Sequence, residues 1–389
     1  MTAIEQLDDK GLLDLSRRTD ALGVLSLYAD ADPTASPKAA AIDMNNRYRE
    51  LQRRIGEDGP SERGGEIGAA LERLRPELER LTHPIEPGRG RITFAGLTGD
   101  WALRLDTQIP VPNRVVLDDG PFIHPLLELL DEGRPAGVIL VSAQDARLLE
   151  WRLGKLQPLS RLEQEEAEAS HERAGQIGGG PPGQFHTPVT EQRQARRQDR
   201  AQRFLDRVAE VAADMAGERR WERILVSGGE RWTEPVAARL PETLRGRVIQ
   251  DVRVLTGLDD EGLRSAVTER LHEDHSSRER RLAEQIREAG LGQTGALGPS
   301  EVTAALNEGR VAHLVYDPEV RYSGSVGVDG ALHAEAETGL GGEAGTPEPR
   351  LTERLVERAL ATGARVSPVE GAATDVLSEA VGIGALLRW

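Results

Sequence analysis

Gly175-Gln-Ile-Gly-Gly-Gly-Pro-Pro-Gly-Gln-Phe-His-Thr-Pro-Val-Thr-Glu-Gln-Arg-Gln-Ala-Arg-Arg-Gln-Asp-Arg-Ala-Gln-Arg-Phe-Leu-Asp-Arg207 is the stretch on which the reading of the chain turns. Its first part cannot form a regular element. Gly178, Gly179, Gly180 and Gly183 lower the cost of positive φ, and Pro181, Pro182 and Pro188 remove backbone donors. From about Glu191 the text becomes helical, with Val189, Ala195, Phe204, Leu205 and Val208 as its few apolar residues and the rest mostly arginine and glutamine. A glycine-rich loop carrying Gln184 therefore runs straight into a basic helix. Structureless stretches of this length are either functional or linkers, and composition alone does not choose between them.

Working outward, Ala136-Gly-Val-Ile-Leu-Val-Ser142 is a continuous apolar run between turns, the pattern of a buried strand. Ala146–Leu153 can return beside it as a hairpin. Beyond the basic helix, Arg223–Ser227 and Arg247–Leu255 read as two further strands, and 259–271 and 278–289 as two helices. Strands alternating with helices predict an α/β unit over 133–297. Ahead of it, residues 1–132 predict a smaller α/β domain, with strands at 23–29, 90–95 and 115–117 and helices at 39–55 and 66–81. After it, 298–389 predicts an α/β/α sandwich. In that part a helix over 300–307 is capped by Ser300, the next strand is Gly309–Tyr316, and a glycine-rich loop covers 324–345. A further helix and strand follow, and the close is Gly382-Ile-Gly-Ala-Leu-Leu-Arg-Trp389. No repeat period links the three parts.

The chain has 389 residues, 38% of them apolar and only 3% aromatic, so Ala, Leu and Val must do most of the packing. Cysteine is absent, which excludes disulfides and thiolate chemistry. The opening residues lack a basic segment followed by an apolar one, and no apolar run approaches the roughly 18 residues of a membrane span. A cytoplasmic, monomeric protein without membrane contact is expected. The net charge of −16 argues against coating DNA or RNA in general. A local basic site is still possible, because residues 193–207 hold six arginines against two aspartates.

Other motifs read more simply as structure. Ile224-Leu-Val-Ser-Gly-Gly-Glu230 lacks the full Gly-x-Gly-x-x-Gly of a nucleotide turn. His272-Glu-Asp-His275 lacks the spacing and third ligand of a metal site. Ser142 and Ser227 end strands without a nucleophile elbow. His186 is a bystander beside the loop tip, and Trp389 a packing residue. No metal and no cofactor are expected.

The order of hairpin (137–153), glycine-rich loop with Gln184, basic helix (196–208) and terminal sandwich resembles the class 1 translation termination factors of archaea and eukaryotes and their Pelota relatives. Their middle domain carries Gly-Gly-Gln on such a loop, and their last domain is an L7Ae-like sandwich. More closely, the chain resembles the bacterial branch, the actinobacterial type of Vms-like release factor. Two departures matter: the glutamine follows Pro-Pro-Gly rather than Gly-Gly, and the loop before the arginines is longer. Nothing in 1–132 resembles codon-reading motifs.

The resemblance implies a peptidyl-tRNA hydrolase that acts on stalled large-subunit complexes, with rRNA and peptidyl-tRNA as partners. Ester hydrolysis at a site made of RNA needs a placed water and a donor for the oxyanion. A glutamine amide supplies donor and acceptor without charge. Gln184 would hold the water, Gly179, Gly180 and Gly183 would shape the tip, and Arg193, Arg196, Arg197, Arg200 and Arg203 would hold phosphates. Gln192 and Gln194 are the fallback positions for the catalytic amide. A loop of roughly 15 residues, doubled back, reaches about 20–25 Å from its domain. The alternatives are a non-catalytic Pelota-like adaptor and a nuclease that cleaves the tRNA 3′ end.

Overall fold

The computed structural model describes residues 2–7, 9–32, 37–57, 62–164, 189–334 and 346–389; for residues 2, 3, 5, 9, 37 and 189–193 it describes the backbone alone. The chain divides into two compact units, residues 134–272 and residues 1–133 together with 273–389. The α/β class expected from the sequence is observed.

The first unit opens with β1 (Thr2–Ala3) and α1 (Asp9–Ser16), followed by β2 (Val24–Asp30), α2 (Pro37–Glu57) and α3 (Glu62–Leu81). Then come β3 (Gly90–Gly96), β4 (Ala102–Thr107), β5 (Arg114–Asp118) and α4 (His124–Glu132). The sheet order is β1-β4-β3-β2-β5, antiparallel except for the β1–β4 edge. Leu25 and Leu27 of β2 meet Met44, Tyr48, Leu71 and Leu78 of α2 and α3 in one buried cluster. Tyr48 Oη donates to Leu71 O at 2.6 Å, so the phenol is satisfied inside that core.

On α4, Glu128 is half-buried. Burial raises its carboxyl to about 8, with Glu370, Glu279 and Glu132 adding to the shift and Arg114 opposing it. The folded state thus prefers the protonated acid. That contribution to stability is full below the ordinary value of 4.5 and is lost as pH rises through about 8. Glu128→Gln mimics the neutral acid. It is expected to flatten the fall in melting temperature of the whole chain between about pH 5 and 9. An unchanged slope in the variant would contradict this.

The second unit contains β6 (Ala136–Val141), β7 (Asp145–Arg152), β8 (Lys155–Glu163), α5 (Val189–Glu218), β9 (Arg223–Ser227), α6 (Glu230–Arg239), α7 (Glu242–Arg245) and β10 (Val248–Asp251). Its sheet order is β10-β9-β6-β7-β8. The three strands β10, β9 and β6 run parallel, and β6-β7-β8 form an antiparallel meander. Every residue of β6 and β9 is buried, including Arg223 and Ser227 at the two ends of the Ile-Leu-Val run of β9. The strand β8 was not expected from the sequence. It is mostly polar and contains Pro158, which an edge strand tolerates because one side of it needs no donor. The third expected strand is shorter than 247–255: pairing stops at Asp251, and Val252 and Val254 are 61% and 65% exposed.

The chain then forms α8 (Asp260–Gly290), one continuous helix where the sequence suggested two. Within the first unit, β11 (Gly295–Leu297), α9 (Gly298–Asn307), β12 (Val311–Tyr316), β13 (Gly324–Val326), β14 (Leu332–Ala334) and β15 (Thr346–Glu348) follow. The last elements are α10 (Leu351–Ala361), β16 (Arg365–Pro368), α11 (Ala372–Leu377) and β17 (Ile383–Leu387). They build a mixed sheet, β11-β17-β12-β16, and a small sheet, β14-β13-β15. Three expectations need correction. Ser300 lies inside the first turn of α9, whose N-cap residue is Leu297 with Pro close behind. The supposed loop over 324–345 contains β13 and β14. Trp389 is 70% exposed rather than packed.

Candidate nucleic-acid interface

Helix α5 positions the arginines. Its residue types favour helix throughout, but its apolar face begins only at Phe204. Phe204, Leu205, Val208, Ala209, Ala212 and Ala216 are buried against Ile139, Leu148, Trp221 and Val226 of the sheet layer. That spacing is one helical stripe. Upstream of it, residues 194–199 are all exposed. Residues 194–199 of α5 therefore stand clear of the core that anchors its second half.

Gln194, Arg196 and Arg197 are exposed, and among the described residues Arg196, Arg197 and Arg200 have no ion pair or hydrogen bond from their side chains. Arg203 is exposed and meets Asp199 at 2.9 Å, one turn away. Arg200, Arg203, Phe204 and Arg207 line a hollow of about 60 Å³. Arg207 Nη2 donates to Glu163 O at 2.6 Å, which fixes α5 to the last residue of β8. Its buried Nε has no hydrogen-bond partner among the described residues. Arg207 was absent from the expected site. The 200, 203, 207 spacing, three and four residues along a helix, was the signal that it shares their face.

Gln192 and Arg193 lie in the first turns of α5, with side chains outside the described residues. Gln184, Gly179, Gly180, Gly183 and His186 lie outside the described residues altogether. The described structure thus brings Arg200, Arg203 and Arg207 together and leaves Arg196 and Arg197 free on the helix surface.

Residues 121–276 match the family model "Bacterial archaeo-eukaryotic release factor family 10". The match covers the hairpin, the glycine-rich segment, α5, β9 and β10, less than half of the 389 residues. The middle of the chain is thus similar to the release-factor superfamily whose order of parts the sequence resembles. No curated protein matches the chain. Among solved structures, the crystal structure of the archaeal translation termination factor aRF1 is 17% identical over 100% of this chain and 98% of that one, with a TM-score of 0.26. S. cerevisiae Dom34, described as a translation termination-like factor, is 9% identical over 77% and 80%, with a TM-score of 0.38. Archaeoglobus fulgidus Pelota is 15% identical over 77% and 79%, with a TM-score of 0.33. TM-scores this low carry no functional weight.

The competing motifs are accounted for structurally. Gly228 has φ +154°, and a Cβ there would stand 2.3 Å from Val141 O, so glycine is required by strand contact. The nearby ends of β9 and β10 are occupied by Arg253. Its Nη2 donates to Asp251 Oδ2 at 2.8 Å, and its carbonyl accepts from Ser227 Oγ at 2.8 Å. Burial raises the Asp251 carboxyl, and the Arg253 bonds more than offset this, leaving its pKa lowered. Of the histidine pair, His272 is exposed and His275 is buried. Among the described residues, no three His, Asp or Glu side chains are grouped to hold a metal, and no helix is long and apolar enough to cross a membrane.

Proposed function

We propose that this protein is a ribosome-associated peptidyl-tRNA hydrolase, of the Vms-like branch, that frees nascent chains from stalled large-subunit complexes without reading a codon. One observation supports it above the others. A helix whose exposed arginines Arg196 and Arg197 have no partner among the described residues follows directly on the Gly-Gln segment, inside the stretch that matches a release-factor family model. In this reading Arg193, Arg196, Arg197, Arg200 and Arg203 hold RNA phosphates and set the register of the loop. Gln184 places the water and meets the oxyanion, and Gly179, Gly180 and Gly183 let the backbone approach RNA. The protein works as a cytoplasmic monomer, and the peptidyl transferase centre supplies the rest of the site.

The electrostatic half of this reading is tested by Arg196→Gln with Arg197→Gln. Both residues are exposed and, among the described residues, unpaired, so thermal unfolding should not move. Binding to isolated 50S particles should weaken by about tenfold at moderate salt, and the log–log salt slope should fall by about 1.5. Wild-type affinity and slope would remove α5 from the interface. Binding without release, in the wild-type protein, would favour the Pelota-like adaptor. A shortened tRNA 3′ end after reaction would favour the nuclease.

A further inference from the structure

The first unit contains a cavity of about 300 Å³ between α4, the second half of α8 and the ends of β12 and β16. Its floor is fixed by side chains already bonded to one another. Asp131 accepts from Arg365 Nη2 at 2.6 Å and from Ser367 Oγ at 2.8 Å, and Ser367 Oγ also meets His313 Nε2 at 2.9 Å. The Asp131 charge is therefore already countered by Arg365.

The wall from α8 differs. The His275 side chain is 8% exposed, its Nε2 has no hydrogen-bond partner among the described residues, and Glu279 Oε1 stands 3.4 Å away. Buried polar atoms are almost always bonded, so an orphan facing a cavity calls for a ligand or water. One turn further, Arg278 and Arg281 line the same cavity, and neither has an ion pair or hydrogen bond among the described residues. Among the described residues, three arginines against two carboxylates leave the lining positive inside a chain of net charge −16.

We infer that this cavity binds a phosphomonoester of about mononucleotide size. Two free guanidinium groups offer paired N–H donors to phosphate oxygens. The orphan His275 Nε2 supplies a further contact deeper in the wall. The volume lies at the lower end of small-molecule sites, well above what one inorganic ion fills. Among the described residues, Leu282 is the one apolar side chain in the lining, enough for one face of a base or sugar.

The test is calorimetric titration of the full-length protein with AMP, adenosine, inorganic phosphate and the dinucleotide pApA. AMP is expected to bind at least about tenfold more tightly than adenosine, since charge-assisted bonds to phosphate carry the affinity. Arg281→Gln and Arg278→Gln should each weaken AMP by about tenfold. His275→Gln should weaken it less. Circular dichroism confirms that each variant is folded, and Arg281, exposed on the rim, is the variant least able to disturb the fold. If pApA binds more tightly than AMP with the same sensitivity to the variants, the phosphate comes from RNA; if AMP binds as well or better, it comes from a free nucleotide. Equal affinities for AMP and adenosine, or wild-type affinity in a folded Arg281→Gln protein, would overturn the site. All these residues lie outside α5, so a failure of the proposed hydrolase function leaves this test intact.

Discussion

Gln184→Ala is expected to lower peptide release from 50S–peptidyl-tRNA complexes by about 10²–10³-fold, the usual cost of removing one preorganised oxyanion donor. The protein, in this view, brings no metal, nucleophile or charged base to the ester. What it adds is one amide at the end of a reach, and removing that amide leaves binding without chemistry. Binding to 50S particles should be unchanged, because in this reading the phosphate contacts belong to α5. Thermal unfolding should also be unchanged. Among the described residues, the apolar cluster that anchors α5 is built from side chains between 139 and 248. Gln184→Glu separates geometry from charge. It keeps the size and the acceptor, loses the donor, and places a carboxylate among phosphates, so it should release no faster than the alanine variant. Release at the wild-type rate in both variants would move the role to Gln192 or Gln194, tested by the same substitutions there.

How much of this was legible in the sequence depends on which force shaped each element. The strands β6 and β9 are buried on both faces, so their apolar runs announced them. The basic helix was legible from arginine density, and its anchored half from the stripe beginning at Phe204. Where tertiary pairing decided, the text misled. The edge strand β8 takes its form from eight residues paired across from β7, not from its own polar sequence. The alternating Val252 and Val254 look like a strand's continuation, yet the chain turns away because Arg253 folds back on Asp251. The sequence His272–Arg278 looks like a break but lies inside a 31-residue helix. The tie from Arg207 to Glu163 O joins residues 44 apart, and nothing local encodes it.

The second large effect concerns the sheet against which α5 packs. Gly137 sits in β6 with the Trp221 ring against its Cα face, and a Cβ there would lie 2.1 Å from Cε3 and 2.3 Å from Cζ3. The ring is fully buried and its Nε1 donates to Glu150 Oε2 at 3.0 Å, so it cannot withdraw without losing a bond and opening a cavity. Gly137→Ala should therefore destabilise residues 134–272 by about 3 kcal/mol, the upper range for overpacking, and lower that unit's melting transition by roughly 10 °C. Gly217→Ala is the paired control. It lies near the end of α5, where an added Cβ meets nothing within 4 Å, and it should raise stability by up to about 1 kcal/mol. Both substitutions add the same methyl group, so propensity alone predicts a gain in each; only the indole ring makes their signs differ. Calorimetry of the full chain reads both. If Gly137→Ala melts with the wild type, Trp221 has room to move, and the anchored half of α5 rests on a looser layer than this packing implies.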